Sequence, residues 1–279
     1  MQNLRTGAHT SPIGVFDSGV GGLSVWREIV HQLPDENTLY VADQAHIPYG
    51  QRALEEVRRF TGDITRFLLA QGAKIIVVAC NTASGAALHA LRETFPDVPF
   101  VGMEPAIKPA VEHTRTGVVG VIATPATFAG DLFAGLVARF GHDVDLRTQA
   151  CPGLVEAVEA GALDTPETEA LLRRYLTPML DAGIDQLVLG CTHYPFLSST
   201  IRRIVGPAVT LIDPAPAVAR QVERVLAQRG WLASAAPSAQ HKFFTSGDPA
   251  QFSAMAHTLI GAEHPTALYQ SAQGPGDSG

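Results

Sequence analysis

Cysteine is scarce in this chain, with three in 279 residues, at positions 80, 151 and 191. No C-x-x-C pair, H-E-x-x-H motif or Cys/His cluster offers a zinc site, so no metal is expected. Charge is also thin: Asp, Glu, Lys and Arg make up 17%, the formal net charge is −7, and Lys and Arg do not cluster. Nucleic acid and anionic membranes are therefore not expected as main partners. A small anion is still allowed, because backbone N–H groups alone can make a site locally positive. No apolar run approaches transmembrane length, and Met1 to Ser11 lacks the apolar core of a secretory signal. With so few cysteines, a soluble, cytoplasmic protein is expected.

Hydrophobic residues, at 46%, suffice for buried cores. Short apolar runs at Pro12–Phe16, Thr38–Ala42, Lys74–Ala79 and Val98–Gly102 alternate with helical patterns at Leu23–Leu33, Leu54–Gly72 and about Ser84–Phe95. The alternation restarts after Pro105. Strands are expected at Gly117–Ala123, Asp143–Thr148, Gln186–Gly190, Val209–Ile212 and Lys242–Thr245. Helices are expected from Thr124, over Glu167–Ala182, Phe196–Val205, Ala217–Arg229 and Ala250–Ile260. Such alternation predicts an α/β fold with mostly parallel sheet, here two sheets, and sites at the carboxyl ends of strands. Residues 1–11 and 265–279 are expected to be disordered, and 231–240 to be a linker.

Two of the three cysteines occupy look-alike contexts. Lys74–Ala79 leads into Cys80-Asn81-Thr82, and Gln186–Gly190 leads into Cys191-Thr192-His193. Each thiol ends a strand and precedes a helical pattern, and a helix N-terminus lowers a thiol's pKa. A lone buried cysteine is commonly structural, which is the reading for Cys151. Two in matching turns suggest a pair facing one site. Such a pair can remove a proton from one face of a carbon and deliver one to the other. A hydrolase using Cys191 and His193 would instead leave Cys80 without a role.

Asp17-Ser18-Gly19-Val20-Gly21-Gly22 is a poor dinucleotide fingerprint, and Asp43, at ribose-ligand spacing, lies in a proline-bounded loop. The turn reads better as a backbone nest for a carboxylate. Asn81, Thr82, Thr124 and Thr192 could each be a plain helix cap, or together hold a dicarboxylate. Tyr49-Gly50 could close over a ligand.

Together, Phe16-Asp17-Ser18-Gly19-Val20-Gly21-Gly22, Pro48-Tyr49-Gly50, Ala79-Cys80-Asn81-Thr82 and Gly190-Cys191-Thr192-His193-Tyr194-Pro195 resemble the glutamate racemases. These belong to the cofactor-independent aspartate/glutamate racemase group, and the resemblance runs from about Pro12 to Gly261. It implies two pseudo-symmetric α/β domains with the active site in the cleft between them. The first would comprise 12–105 plus 216–264, and the second 106–215. It implies Cys80 acting on D-glutamate with Asp17 assisting, and Cys191 acting on L-glutamate with His193 assisting. Asp17, Ser18, Tyr49, Gly50, Asn81, Thr82, Thr124, Thr192 and His193 would bind substrate, and Glu159 would lie near the site. It also implies no cofactor, a homodimer, and a role in supplying D-glutamate for peptidoglycan. Aspartate and hydantoin racemases would share the thiols. Activation by a cell-wall precursor and gyrase binding, reported for some members, are left undetermined. Ala53 stands where members commonly carry serine, which removes a helix-capping hydroxyl, and Glu156 stands where proline is common.

Overall fold

A computed structural model of the protein describes residues 9–234, 238–261 and 263–270. The first unit runs β1 (Ile13–Asp17), α1 (Leu23–Gln32), β2 (Thr38–Ala42), α2 (Leu54–Ala70), β3 (Ile75–Val78), α3 (Asn81–Thr94) and β4 (Phe100–Gly102). The second runs α4 (Ile107–His113), β5 (Val118–Ala123), α5 (Pro125–Ala129), α6 (Asp131–Phe140), β6 (Asp145–Ala150), α7 (Leu154–Glu159), α8 (Pro166–Asp181), β7 (Gln186–Gly190), α9 (Ser198–Val205) and β8 (Thr210–Ile212). The chain then returns to the first unit through α10 (Ala215–Arg229), β9 (His241–Thr245), α11 (Pro249–Ile260) and β10 (Thr266–Leu268).

Both sheets are parallel. The first has the order β10-β9-β2-β1-β3-β4 and the second β6-β5-β7-β8. Central strands covered on both faces need apolar side chains at every position rather than alternate ones. β3 is apolar throughout, β1 and β7 depart from this only at Asp17 and Gln186 on their ends, and every residue in the three strands is buried. α10 packs on α1, so the C-terminal return is held by helix packing as well as by β9 pairing with β2.

A buried ion pair closes the end of the first sheet opposite the strand carboxyl ends. Lys74 Nζ lies 2.6 Å from Glu36 Oε2, with both side chains 3% exposed. Lys74 also donates to the Trp231 carbonyl, and Glu36 Oε1 accepts the Ala233 N–H. The start of the expected 231–240 linker is therefore strapped down; residues 235–237 lie outside the described residues.

The expected disorder of 265–279 is corrected at its start. β10 pairs with β9, and the Tyr269 ring is buried against Phe67 while its N–H donates to Thr245. Covering the edge of β9 and burying an aromatic ring outweigh the polar composition of that segment. Residues 271–279 lie outside the described residues. So do residues 1–8 of the expected disordered lead, but His9 bonds the Leu232 carbonyl and Asn37 donates to that of Thr10. α3 begins at Asn81, three residues before the expected Ser84, because Cys80 itself serves as its N-cap. At α2 the missing hydroxyl of Ala53 leaves half a capping box, in which Glu56 accepts the Ala53 N–H and nothing answers from the cap.

Candidate active site

In each sheet the chain steps first to one side of a central strand and then to the other. β1 has β2 and β3 as neighbours, and β5 has β6 and β7. Loops leaving such a switch point diverge and leave a crevice at the strand carboxyl ends. Asp17 ends β1 and Cys80 follows β3; Thr124 follows β5 and Cys191 follows β7. The two crevices face each other. Ser18, Tyr49, Gly50, Cys80, Asn81 and Thr82 from the first unit line one cavity with Thr124, Thr127, Val155, Cys191, Thr192 and His193 from the second. It measures about 20 Å³, the space of about one water. It adjoins a chamber of about 300 Å³ that shares Tyr49, Asn81, Thr82 and Thr127.

Around Cys80 the groups are acidic and buried. Asp17 is fully buried and accepts the Gly22 N–H at 2.7 Å and the Thr192 hydroxyl at 3.4 Å. The Ser18 hydroxyl stands 3.5 Å from Asp17 Oδ1 and 4.0 Å from Cys80 Sγ. Burial raises the carboxyl pKa of Asp17, against the pull of the nearby His193. Burial also drives the Cys80 thiol well above its ordinary range, and the Asp17 charge adds to it. The Ala83 N–H at the start of α3 does reach Cys80 Sγ, at 3.5 Å. The helix-terminus activation expected of this thiol is thus present but outweighed, and the protonated thiol is favoured here.

Around Cys191 the arrangement differs. A 3₁₀ turn, Tyr194–Leu197, separates it from α9, so no α-helix N-terminus sits on the thiol. His193 is there instead, with Nδ1 3.7 Å from Cys191 Sγ and Nε2 2.7 Å from Glu159 Oε1. Burial disfavours the imidazolium, but the bonds to Cys191 and Glu159 prevail and hold His193 well above the usual imidazole range. Glu159 is kept below its ordinary value: burial opposes this, and donors from His193, the Val20 N–H and Gln44 overcome it.

The glycine turn has a specific reason for its composition. A Cβ on Gly19 would stand 2.0 Å from Glu159 Oε1, and one on Gly21 would stand 2.3 Å from His193 Nδ1. The turn is bare so that side chains of the second unit can reach it. It does act as a nest for a carboxylate, but the carboxylate it holds through the Val20 N–H is the protein's own Glu159, at 2.7 Å.

The family model for Asp/Glu/Hydantoin racemase matches residues 13–222, which include both cysteine turns and the Asp17 turn. The chain belongs to that racemase family. Within it, the glutamate racemase of Roseiflexus sp. strain RS-1 is 53% identical over 249 residues, 89% of this chain and 92% of that one. Among solved structures, glutamate racemase isoform RacE1 of Bacillus anthracis matches with a TM-score of 0.84 at 36% identity. The match covers 94% of this chain and 98% of that one. Escherichia coli glutamate racemase, in complex with L-glutamate and the activator UDP-MurNAc-ala, matches with a TM-score of 0.81 at 32% identity over 92% and 97%.

Of the site residues expected from the sequence, Ser18, Tyr49, Gly50, Cys80, Asn81, Thr82, Thr124, Cys191, Thr192 and His193 line this cavity, while Asp17 and Glu159 stand behind its wall, bonded to Thr192 and His193. Thr124 is also a plain helix cap, since its hydroxyl accepts the Thr127 N–H at 3.3 Å, and it meets the Thr82 hydroxyl across the cleft at 3.2 Å. Asn81 is 4% exposed, and among the described residues neither its amide oxygen nor its nitrogen has a hydrogen-bond partner. Such a buried orphan pair is costly, which marks a group reserved for a ligand. Sequence reasoning missed Asp43, which accepts from the Tyr49 hydroxyl and the Ser246 hydroxyl, both at 2.7 Å, and bonds His46. By its spacing it reads only as a ribose ligand, a role its proline-bounded loop disfavours, and that same placement brings it to Tyr49. Val155 and Thr127, which line the cavity as Asp43 does not, carried no signal at all.

Proposed function

We propose that this protein interconverts L- and D-glutamate through two thiols on opposite faces of the substrate Cα. The observation that carries the reading is that Cys80 and Cys191, from different sheets, line one cavity, each with its own proton-handling partner. Cys80, beside Asp17, favours the thiol and is suited to deliver a proton. Cys191, beside a histidine held by a carboxylate, is suited to remove one. Racemisation from L-glutamate takes Cys191 as the abstracting thiolate and Cys80 as the donating thiol. Moving one proton from Cys80 to Cys191 sets the site for D-glutamate. Asp17 and His193 accompany those proton movements, and Glu159 steadies His193.

The substrate is bound by groups without a full cationic charge of their own, apart from His193. Ser18, Asn81, Thr82, Thr124 and Thr192, with backbone N–H groups around Gly50, hold its carboxylates. Tyr49 closes the cleft, and in this reading the Asp17 carboxyl, bonded to Thr192 in the cavity wall, draws the ammonium to its side. The chemistry of this reading requires neither metal nor cofactor. The sheet memberships support domains at 12–105 plus 216–264 and at 106–215, with the first extended to take in β10. The reading also includes a cytoplasmic homodimer supplying D-glutamate for peptidoglycan. Among the described residues no helix is long and apolar enough to cross a membrane.

The test is incubation with L-glutamate in deuterated water, following Cα–H loss by NMR and loss of optical rotation. Both signals are expected, and absence of both would refute the reading. L-aspartate in parallel reports substrate choice. Cys80→Ser and Cys191→Ser are each expected to abolish racemisation; full turnover by either would sink the two-thiol mechanism.

A further inference from the structure

A chain of side-chain bonds reaches the cleft from β9, a strand no catalytic group sits on. β2 and β9 pair in register with Ala42 opposite Thr245, so Gln44, just past β2, stands beside Thr245. The Thr245 hydroxyl accepts the Gly247 N–H at 3.0 Å and donates to Gln44 Oε1 at 2.9 Å. The carboxylate of Glu159 can only accept, and that fixes which end of the carboxamide faces which way. The Gln44 NH₂ group points at Glu159 Oε2, 3.2 Å away, which leaves the amide oxygen to take the Thr245 hydroxyl proton. Thr245 is fully buried, and a Cβ on Gly247 would come within 3.0 Å of Gln44 Cβ, so the amide has little room to turn.

Glu159 belongs to the other unit. Its Oε1 is held by the Val20 N–H and by His193 Nε2, both at 2.7 Å, and Gln44 holds the remaining oxygen. A carboxylate gripped at one oxygen can still pivot, and one gripped at both cannot. From this geometry we infer that Gln44 is a positioning residue for the Cys191 half-reaction. It locks Glu159 from across the cleft, and through it the His193 ring that faces Cys191. Gln44 does not line the cavity and touches no reacting atom. The inference rests on the two-thiol racemisation proposed above.

Gln44→Leu keeps the bulk and removes both bonds. Loss of one donor to a charged acceptor is expected to lower kcat about tenfold, with KM within about twofold. The equilibrium between enantiomers has a constant of one, so kcat/KM must fall equally in both directions and cannot locate the damaged step. Primary isotope effects can. With the Cys191 side slowed, the effect on L-[2-²H]glutamate rises, because Cys191 breaks that bond, while the effect on D-[2-²H]glutamate falls. A residue that only supported the fold would move neither selectively.

Thr245→Val, which frees the amide to turn without changing volume, is expected to shift both isotope effects in the same direction but less. It decides the matter if Gln44→Leu does not fold. The ¹⁵N resonance of His193 Nε2 in the substrate-free protein supplies a readout that needs no turnover, and it is expected to shift in both variants. Unchanged isotope effects and an unchanged resonance in a folded variant would overturn the inference. Absence of glutamate turnover by the wild-type protein would overturn the proposed function instead, and the resonance would still judge Gln44.

Discussion

Gly21→Ala adds one methyl group at a point where the two units meet. Its Cβ would lie 2.3 Å from His193 Nδ1, 2.5 Å from Cε1 and 2.7 Å from Thr192 Oγ1. Carbon and nitrogen in ordinary contact stand about 3.5 Å apart, so the ring or the turn must move by about 1.2 Å. The ring is 2% exposed and bonded at both nitrogens, so it cannot swing aside alone. Relief has to come from separating the Asp17 turn from the Cys191 turn, the two walls that set the spacing of the thiols. A misplacement of about 1 Å can cost about 100-fold in rate. Overpacking costs about 1–3 kcal/mol in stability, which leaves a protein of this size folded. The expected outcome is a soluble variant with a native circular-dichroism spectrum, a modestly lowered Tm, and racemisation reduced about 100-fold. Gly21 does not adopt a positive φ, so alanine brings no backbone strain to confuse the result. Wild-type kcat in Gly21→Ala would refute the argument that this turn is bare to admit His193.

Other expectations follow from buried charge. Lys74→Met leaves the Glu36 carboxylate 3% exposed without its cation, and is expected to lower stability to urea by about 3–5 kcal/mol. The double variant Lys74→Met/Glu36→Leu should recover most of that loss, and failure to recover any would show that the charge itself is needed. His241 and His264 face each other, 5.3 Å between ring centres, against Trp26 and Phe243. Burial lowers both pKa values, and at His241 the neighbouring His264 adds to it. The unfolded chain therefore takes up protons first, so this contribution to stability is complete above the ordinary histidine pKa of about 6.5 and is lost as pH falls below it. His264→Phe should flatten the fall in Tm measured from pH 7 to pH 5. An unchanged slope would mean that these rings do not govern it.

The strands, and the twin cysteine turns that end two of them, were legible because buried parallel strands must be apolar at every position. The runs at 75–79 and 187–190, apolar but for glycine, announce themselves in that way. The start of α3 was misplaced because a cysteine is not an expected N-cap, and β10 was missed because three residues in a polar tail carry no pattern of their own. The thiol environments were half legible. The sequence places Cys80 at a helix start, but whether the helix N-terminus or desolvation beside Asp17 dominates depends on burial. That depends in turn on a second unit some 110 residues away.

By itself, then, the sequence determined the alternation, the two cysteine turns and the identity of the groups at the strand ends, because these depend on local pattern and on chemistry carried by single residues. Only the tertiary structure decided how those groups divide the work. It set Asp17 against Cys80 and His193 with Glu159 against Cys191, filled the glycine turn with Glu159, and brought Gln44 within reach of it. Hydrogen bonds and desolvation act over a few ångströms in space, and no spacing along the chain encodes which distant side chain will arrive there.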